Sequence, residues 1–347
     1  MIKLHLRRLF WGLVGAVVVV ALAYSALWVA LATGTQTIAH DWIAKQRLNG
    51  WSVSVKPPLL DGFPFWPVLI LEDVAITAPL NIGSWSWSTD RVTVHPATVD
   101  LTRLTIRATG RHLIDTPWTP SGPFFAEASV ADLGIDLDTE GRLQHSHIYL
   151  EQAELQDADR VPIVSAALVD LNFTLAEAMP SPRHVFAQLS GRGDDVRLAI
   201  NLRPFEPTIR TIQLAVDLLG PINPGRLQGA LELWRGGGGT LEVRRVFLDW
   251  PPLTISADGT MALDDALQPT AALSTRMIGF NDTLNALKAK GIITRSQGAS
   301  ASLVLNLLAK IPPGGDKPEL QVPLSVQGQK LSVGPFKIMD MPMIQWD

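Results

Sequence analysis

In QHSHIY, His145 and His147 stand two residues apart, so on a strand their imidazoles share a face. Two such rings begin a zinc site, and Glu151 is the nearest third ligand. No complete ligand set follows, and a polar strand face explains the same pattern, so no metal site is expected. Asp264-Asp265 pairs two carboxylates at a turn, where they point to different faces. Ser, His and Asp are all present, but no G-x-S-x-G nucleophile elbow occurs. Gly236–Gly239, in WRGGGGTLEV, lacks the Lys-Ser/Thr and the following helix of a phosphate loop. It reads as a flexible hairpin loop between strands. Arg192-Gly193-Asp194 spells an adhesion tripeptide in what reads as an Asp/Gly-rich turn. No acid, base, nucleophile or cofactor cradle converges here. The expectation is a protein that is not an enzyme and carries no cofactor.

The chain has 347 residues and a formal net charge of −4, with Lys and Arg dispersed. Nucleic acid calls for a basic stripe, so it is not an expected partner. There are no cysteines, which removes disulfides, thiolate nucleophiles and Cys-based metal sites. The N-terminus is more telling. MIKLHLRR carries Lys3, Arg7 and Arg8, and residues 9–32, LFWGLVGAVVVVALAYSALWVALA, hold no charge. At 1.5 Å per residue this run crosses a hydrocarbon core of about 30 Å. Trp11 and Trp28 lie near its ends, where interfacial aromatics belong. The preceding bases place the N-terminus in the cytoplasm and the remainder outside, in the periplasm of a bacterium. A cleavable signal is the rival reading, with Ala21-Leu22-Ala23 or Ala30-Leu31-Ala32 as the cut site. A signal core spans about 7–15 residues, and this longer run favours an uncleaved anchor.

Past the anchor, residues 36–49 put Ile38, Trp42 and Ile43 on one helical face and end at Gly50, a short separate helix that caps a sheet. The period then changes to two. WSVSVK, VLILEDVAIT, residues 196–203, residues 212–218 and residues 322–326 alternate apolar with polar side chains, the pattern of half-buried strands. In PLTISADGTMALDD, Asp258-Gly259 suggests a hairpin turn, which would flip the parity of the apolar positions. The parity holds: Leu253, Ile255, Ala257, Gly259, Met261 and Leu263 are all odd. One strand therefore runs through Gly259, with close packing against its backbone. Leu253, Ile255, Met261 and Leu263 then line an apolar groove. Between Val243 and Val246 the parity does switch, which predicts a bulge at Arg244-Arg245. Residues 281–291, capped by Asn281 or Asp282 and stopped by Gly291, and residues 296–310 read as helices, and 311–318 as a loop.

The segment Gly62-Phe63-Pro64-Phe65-Trp66-Pro67 interrupts the early strands. Gly62 permits a tight bend and Pro64 forbids a ladder bond, so the segment reads as the beginning of a sheet whose end is plugged by Phe63 and Phe65. A mobile binding lip is the alternative.

Few helices accompany many one-sided strands. The sheet must pack on another sheet, close on itself or curl around something apolar, such as lipid. The expected fold is mainly β: a long curved antiparallel sheet or a sandwich with a few helices, preceded by one N-terminal transmembrane helix. Residues 1–35 form the basic stub and anchor, and 36–347 an exported β-rich domain with a sub-boundary near 180–225.

Several features together resemble the alphaproteobacterial domain-of-unknown-function family twenty-one twenty-five. They are the single anchor, the Trp-containing helix ending at Gly50-Trp51, Gly62-Phe63-Pro64, and Trp85-Ser86-Trp87 before a strand. The block around Gly259 and the block VPLSVQGQKLSVGPFKIMDMP, with Gly334-Pro335, complete the set. The late block is also similar to the C-terminal repeat of AsmA-like envelope proteins. That likeness implies a long curved sheet, open on an apolar groove and anchored in the inner membrane. Neither resemblance brings catalytic residues. The expected function is binding or shielding of lipid in envelope maintenance, with the membrane, lipid and other envelope proteins as partners. A ligand-free assembly scaffold is the alternative.

Overall fold

A computed structural model describes residues 2–80, 83–97, 99, 101–117, 122–176, 181, 183–200, 205–222, 226–291, 294–311, 317–334 and 336–346. In chain order it begins with α1 (Ile2–Leu48), β1 (Ser52–Ser54), β2 (Leu59–Asp61), β3 (Val68–Leu80), β4 (Gly83–Pro96), β5 (Arg103–Asp115) and β6 (Phe124–Glu127). There follow β7 (Val130–Leu137), β8 (Leu143–Gln156), β9 (Pro162–Leu175), β10 (Val185–Leu198), β11 (Thr208–Leu219), α2 (Leu227–Gly236), β12 (Thr240–Trp250), β13 (Leu253–Leu263) and β14 (Pro269–Ile278). The chain closes with α3 (Phe280–Ala289), α4 (Arg295–Leu308), β15 (Glu319–Gln327), β16 (Lys330–Val333) and β17 (Phe336–Asp340). The protein is mainly β, with antiparallel pairing throughout and a long apolar N-terminal helix. The chain divides into two compact units: residues 1–123 with 132–142, and residues 124–131 with 143–347.

In unit one, β3 pairs with β1, β2 and β4, and β5 pairs with β4 and β7. Leu69, Val74, Val92, Val94 and Leu104 form its core on one sheet face, and Ile38 and Ala39 of α1 pack over them. The cover is thus the second half of α1, whose Leu31, Ala32, Thr35 and Ile43 are buried. This helix is not the separate element expected over residues 36–49; it continues unbroken from the apolar run. Thr33, Thr35 and Thr37 donate their hydroxyls to the carbonyls of Val29, Leu31 and Thr33, which keeps these residues inside the helix. Gly34 lies where the Leu101 side chain takes the space of a Cβ. The helix stops at Gly50, φ +85°, as its position suggested.

In unit two, β8 through β17 pair in sequence order, leaving out the helices, and β6 joins β8. β13 is one strand through Gly259, as the parity argument requires. Gly259 has φ +150°, and a Cβ there would overlap the Ala272 carbonyl oxygen. The register also breaks between Val243 and Val246, placing the bulge at Arg244-Arg245.

Other expectations need correction. β10 ends at Leu198, so Ile200 lies beyond the strand, and residues 201–203 of the expected alternation lie outside the described residues. Arg192-Gly193-Asp194 is in the middle of β10, not in a turn. Residues 227–236 form α2, which strand periodicity did not predict; Ala230 and Trp234 are its buried face. Gly236–Gly239 therefore joins a helix to a strand. Trp234 donates its indole N–H to the Leu219 carbonyl (2.8 Å) and packs where a Cβ on Gly239 would stand. α3 is capped by Gly279, φ +84°, one residue before the buried Phe280, rather than by Asn281 or Asp282. Asn281 instead donates to Asn306 of α4 at 2.8 Å.

Replacing Gly259 with Val forces a branched side chain into the β14 backbone at a φ that L-residues avoid. The full chain in detergent should lose about 2–4 kcal/mol of unfolding free energy, read by tryptophan fluorescence in denaturant, while Asp258→Ala changes little. His95 offers a pH test. Burial, reinforced by the Arg107 charge, pulls its pKa below the ordinary 6.5. The unfolded chain therefore takes up this proton first as pH falls. The stabilisation is present above about pH 6.5 and is lost as pH drops through the lower folded value. Unfolding free energy between about pH 7.5 and 5.5 should fall more steeply for the wild type than for His95→Gln.

Candidate functional site

Strand pairing in unit two sorts the side chains onto two faces. Residues directly opposite in an antiparallel pair share a face. Starting at Leu171 of β9, the opposite residues are Ile148 on β8, Gly191 on β10, Leu214 on β11 and Val246 on β12. The row continues through Ala257 on β13, Thr275 on β14 and Val322 on β15. The neighbouring rows are Leu150, Val169, Gly193, Ile212 and Leu248 on one side, and Ser146, Phe173, Leu189, Val216 and Val243 on the other, apolar but for Ser146. One apolar face thus spans eight strands.

Among the described residues, α3 and α4 cover this face at one end. Phe280 of α3, Leu305 of α4 and Ala309 pack on Leu320, Val322, Leu253 and Met277. Over β8–β11 the same face is open, and Ile148, Leu171, Leu189, Ile212 and Leu214 are 37–42% exposed. Gly191 and Gly193 form a floor between taller neighbours. A Cβ on Gly191 would stand 2.6 Å from Leu171 Cδ2, and one on Gly193 3.0 Å from Ile212 Cγ2. The glycines of β10 thus let the flanking aliphatic side chains lean inward.

The opposite face is polar and internally paired. His147 Nε2 lies 3.1 Å from Asp170 Oδ1, which also accepts from Asn172 at 2.7 Å. His145 Nδ1 lies 3.0 Å from Thr174 Oγ1. Glu151 accepts the Tyr149 hydroxyl at 2.5 Å, which raises the phenol pKa. The two histidines thus meet β9 partners, as polar strand residues do. Arg192 donates to Asp194 at 2.6 Å, and the hydrogen bond holds that carboxyl below the usual range. Asp264 accepts the backbone N–H groups of Ala266 and Gln268, and Asp265 pairs with Arg235. A polar cleft of about 400 Å³ in unit one holds Glu72, Asp73 and Asp90. Its carboxylates engage Arg91, Lys56 and the Arg111 backbone N–H.

The residues expected to matter are spread along the chain. Leu253, Ile255, Met261 and Leu263 do lie on the apolar face, on β13, but half-buried near the helix-covered end. The open stretch lies two to five strands earlier, over β8–β11. Its signal in the sequence is the two glycines at 191 and 193 on the parity of Leu189, of which Gly193 reads instead, within Arg192-Gly193-Asp194, as part of a turn.

Trp85 belongs to an edge-to-face ladder with Trp51 and Trp42, at centroid spacings of 5.9 and 6.4 Å, and Trp87 stacks on His112. Gly334, φ +56°, turns β16 towards β17 and donates to the Pro323 carbonyl at 2.7 Å. Pro335 lies outside the described residues.

Gly62 makes the tight bend expected, with φ +104° and no room for a Cβ beside the Trp66 carbonyl. Phe63 and Phe65 do not plug the sheet. They are 58% and 78% exposed, and Pro67 is the buried residue at the start of β3. The loop instead meets α1. Phe63 packs edge-on against Trp28 at 5.5 Å, and Tyr24 donates its hydroxyl to the Pro64 carbonyl.

From Trp11 onward α1 is long and apolar enough to cross a membrane, the mark of an anchor or of a signal sequence. No curated protein and no solved structure matches the chain. A bacterial family described as "Uncharacterized protein conserved in bacteria (DUF2125)" matches residues 28–342, from the Trp28 contact almost to the C-terminus. The chain belongs to the DUF2125 family.

Proposed function

We propose that this protein is a non-catalytic, membrane-anchored binder of lipid acyl chains in the bacterial envelope. The observation that carries the reading is the open apolar face over β8–β11, floored by Gly191 and Gly193 and rimmed by Leu171, Ile212 and Leu214. Over β8–β11 the two rows through Leu171 and Val169 carry only aliphatic side chains and glycine. This surface suits an extended hydrocarbon chain laid across the strands. Each buried methylene contributes about 0.8 kcal/mol, so a chain burying about ten of them gains about 8 kcal/mol before the cost of association.

The N-terminal helix supports the membrane side of the proposal. All of its apolar side chains from Trp11 to Val29 except Val14 and Trp28 are exposed, and Lys3, Arg7 and Arg8 precede them. Retained as an anchor, it keeps the basic end in the cytoplasm and both units in the periplasm of the inner membrane. The anchor shortens the search for a lipid ligand to the membrane it spans.

A photoreactive benzoylphenylalanine in place of Leu171 or Leu214 tests the reading in the full chain within its native membrane. Irradiation should yield adducts of phospholipid or acyl-chain mass at these positions, and none when the probe replaces Asn172 or Gln213 on the polar face. Adducts to protein alone at Leu171 and Leu214 would overturn lipid binding and favour an assembly scaffold.

A further inference from the structure

We infer that the aromatic loop Gly62–Trp66, together with β2, is a second membrane contact, seated in the interfacial layer of the phospholipid bilayer beside α1. The inference rests on α1 being a retained anchor. Its starting point is depth. The uncharged run covers residues 9–32, while a hydrocarbon core of about 30 Å takes about 20 residues of helix. The core can slide along the run by only about four residues, so Tyr24 lies inside it in every placement and Trp28 lies at or inside its outer boundary. These are the two residues that the loop touches. Tyr24 donates to the Pro64 carbonyl, and Trp28 packs edge-on against Phe63. The loop cannot keep these contacts and remain in bulk water.

Its composition fits that position. Phe63, Phe65 and Trp66 are 58%, 78% and 49% exposed, and Leu59 and Leu60 of β2 add two more exposed aliphatic side chains. From Gly62 to Pro67 there is no charged residue. The Asp61 carboxylate just before the loop accepts the Gly62 N–H at 2.7 Å, so it is turned back to the backbone. Large aromatic side chains with polar backbone at the same level are what the headgroup boundary accommodates, and exposed to water they form a costly patch. The bend that presents them is built in: Phe65 donates to the Gly62 carbonyl at 2.6 Å, and the Trp66 carbonyl occupies the space a Cβ on residue 62 would need. Among the described side chains of α1, the first buried ones, Leu31 and Ala32, follow Trp28 by about one turn, so unit one meets the helix directly where it leaves the membrane.

The chain has no cysteine, so single-cysteine variants report one site each. Phe65→Cys, Leu59→Cys, Val19→Cys and Glu140→Cys would each carry an environment-sensitive fluorophore on the full chain. The labelled proteins are reconstituted in phosphatidylethanolamine–phosphatidylglycerol vesicles with nitroxide-labelled lipids as depth probes. The expected result is quenching at Val19 by deep nitroxides, quenching at Phe65 and Leu59 by shallow ones with blue-shifted emission, and none at the Glu140 turn. Quenching at Val19 without quenching at Phe65 or Leu59 would overturn the loop contact and leave the anchor standing. No quenching at Val19 would overturn the anchor, and the loop contact with it.

Discussion

An antiparallel sheet that is apolar on one face must have that face covered, and this requirement organises the molecule. Unit one meets it with a helix. The second half of α1 lies on β3–β5 and buries Leu69, Val74, Val92 and Val94 beneath Ile38 and Ala39. Unit two meets it only in part, because α3 and α4 reach no further than the β13–β15 end. Over β8–β11, Leu171, Leu189 and Leu214 are 37–38% exposed. The unfavourable contact of such a surface with water is the reason to look for an apolar occupant.

The two faces of the unit two sheet are maintained by different physics. The polar face is laced by cross-strand pairs, such as His147 with Asp170, Gln188 with Asp217 and Thr211 with Asp194. These part-buried pairs hold register, and a one-residue slip would bring carboxylates onto the apolar face. Backbone irregularities assist. The bulge at Arg244-Arg245 leaves Arg244 free to reach Asp217 at 2.9 Å, while Val243 and Val246 stay on the apolar side.

Much of this was legible in the sequence where parity could be followed. The odd positions from Leu253 to Leu263 outweighed the turn signal of Asp258-Gly259, because a hairpin would have reversed them. The same reasoning placed the bulge. It failed where a local signature competed with tertiary context. Residues 227–236 lie among strands and end in four glycines, yet Leu227, Ala230 and Trp234 recur at helical spacing and the last two are buried. The anchor over residues 1–35 and the helix over 36–49 read as separate elements, but threonine hydroxyls bonded one turn back leave the helix whole. Arg192-Gly193-Asp194 read as a turn because Gly and Asp are common there. In the sheet, Gly193 is an apolar-face position without a side chain, and its neighbours supply the surface.

The loop after β2 shows why exposure could not be read from residue type. Phe63 and Phe65 are hydrophobic, so burial was the natural expectation for a water-soluble domain. They emerge from a bend set by Gly62 and face outward beside Tyr24 and Trp28 of α1. Burial was judged against water as the only solvent. A helix long enough to span a bilayer introduces a second one, and a side chain next to that helix partitions between the two. The aromatic loop and the open sheet face are both unfavourable in water and both favourable against hydrocarbon, which is the common physical ground of the lipid binding and the loop contact proposed above.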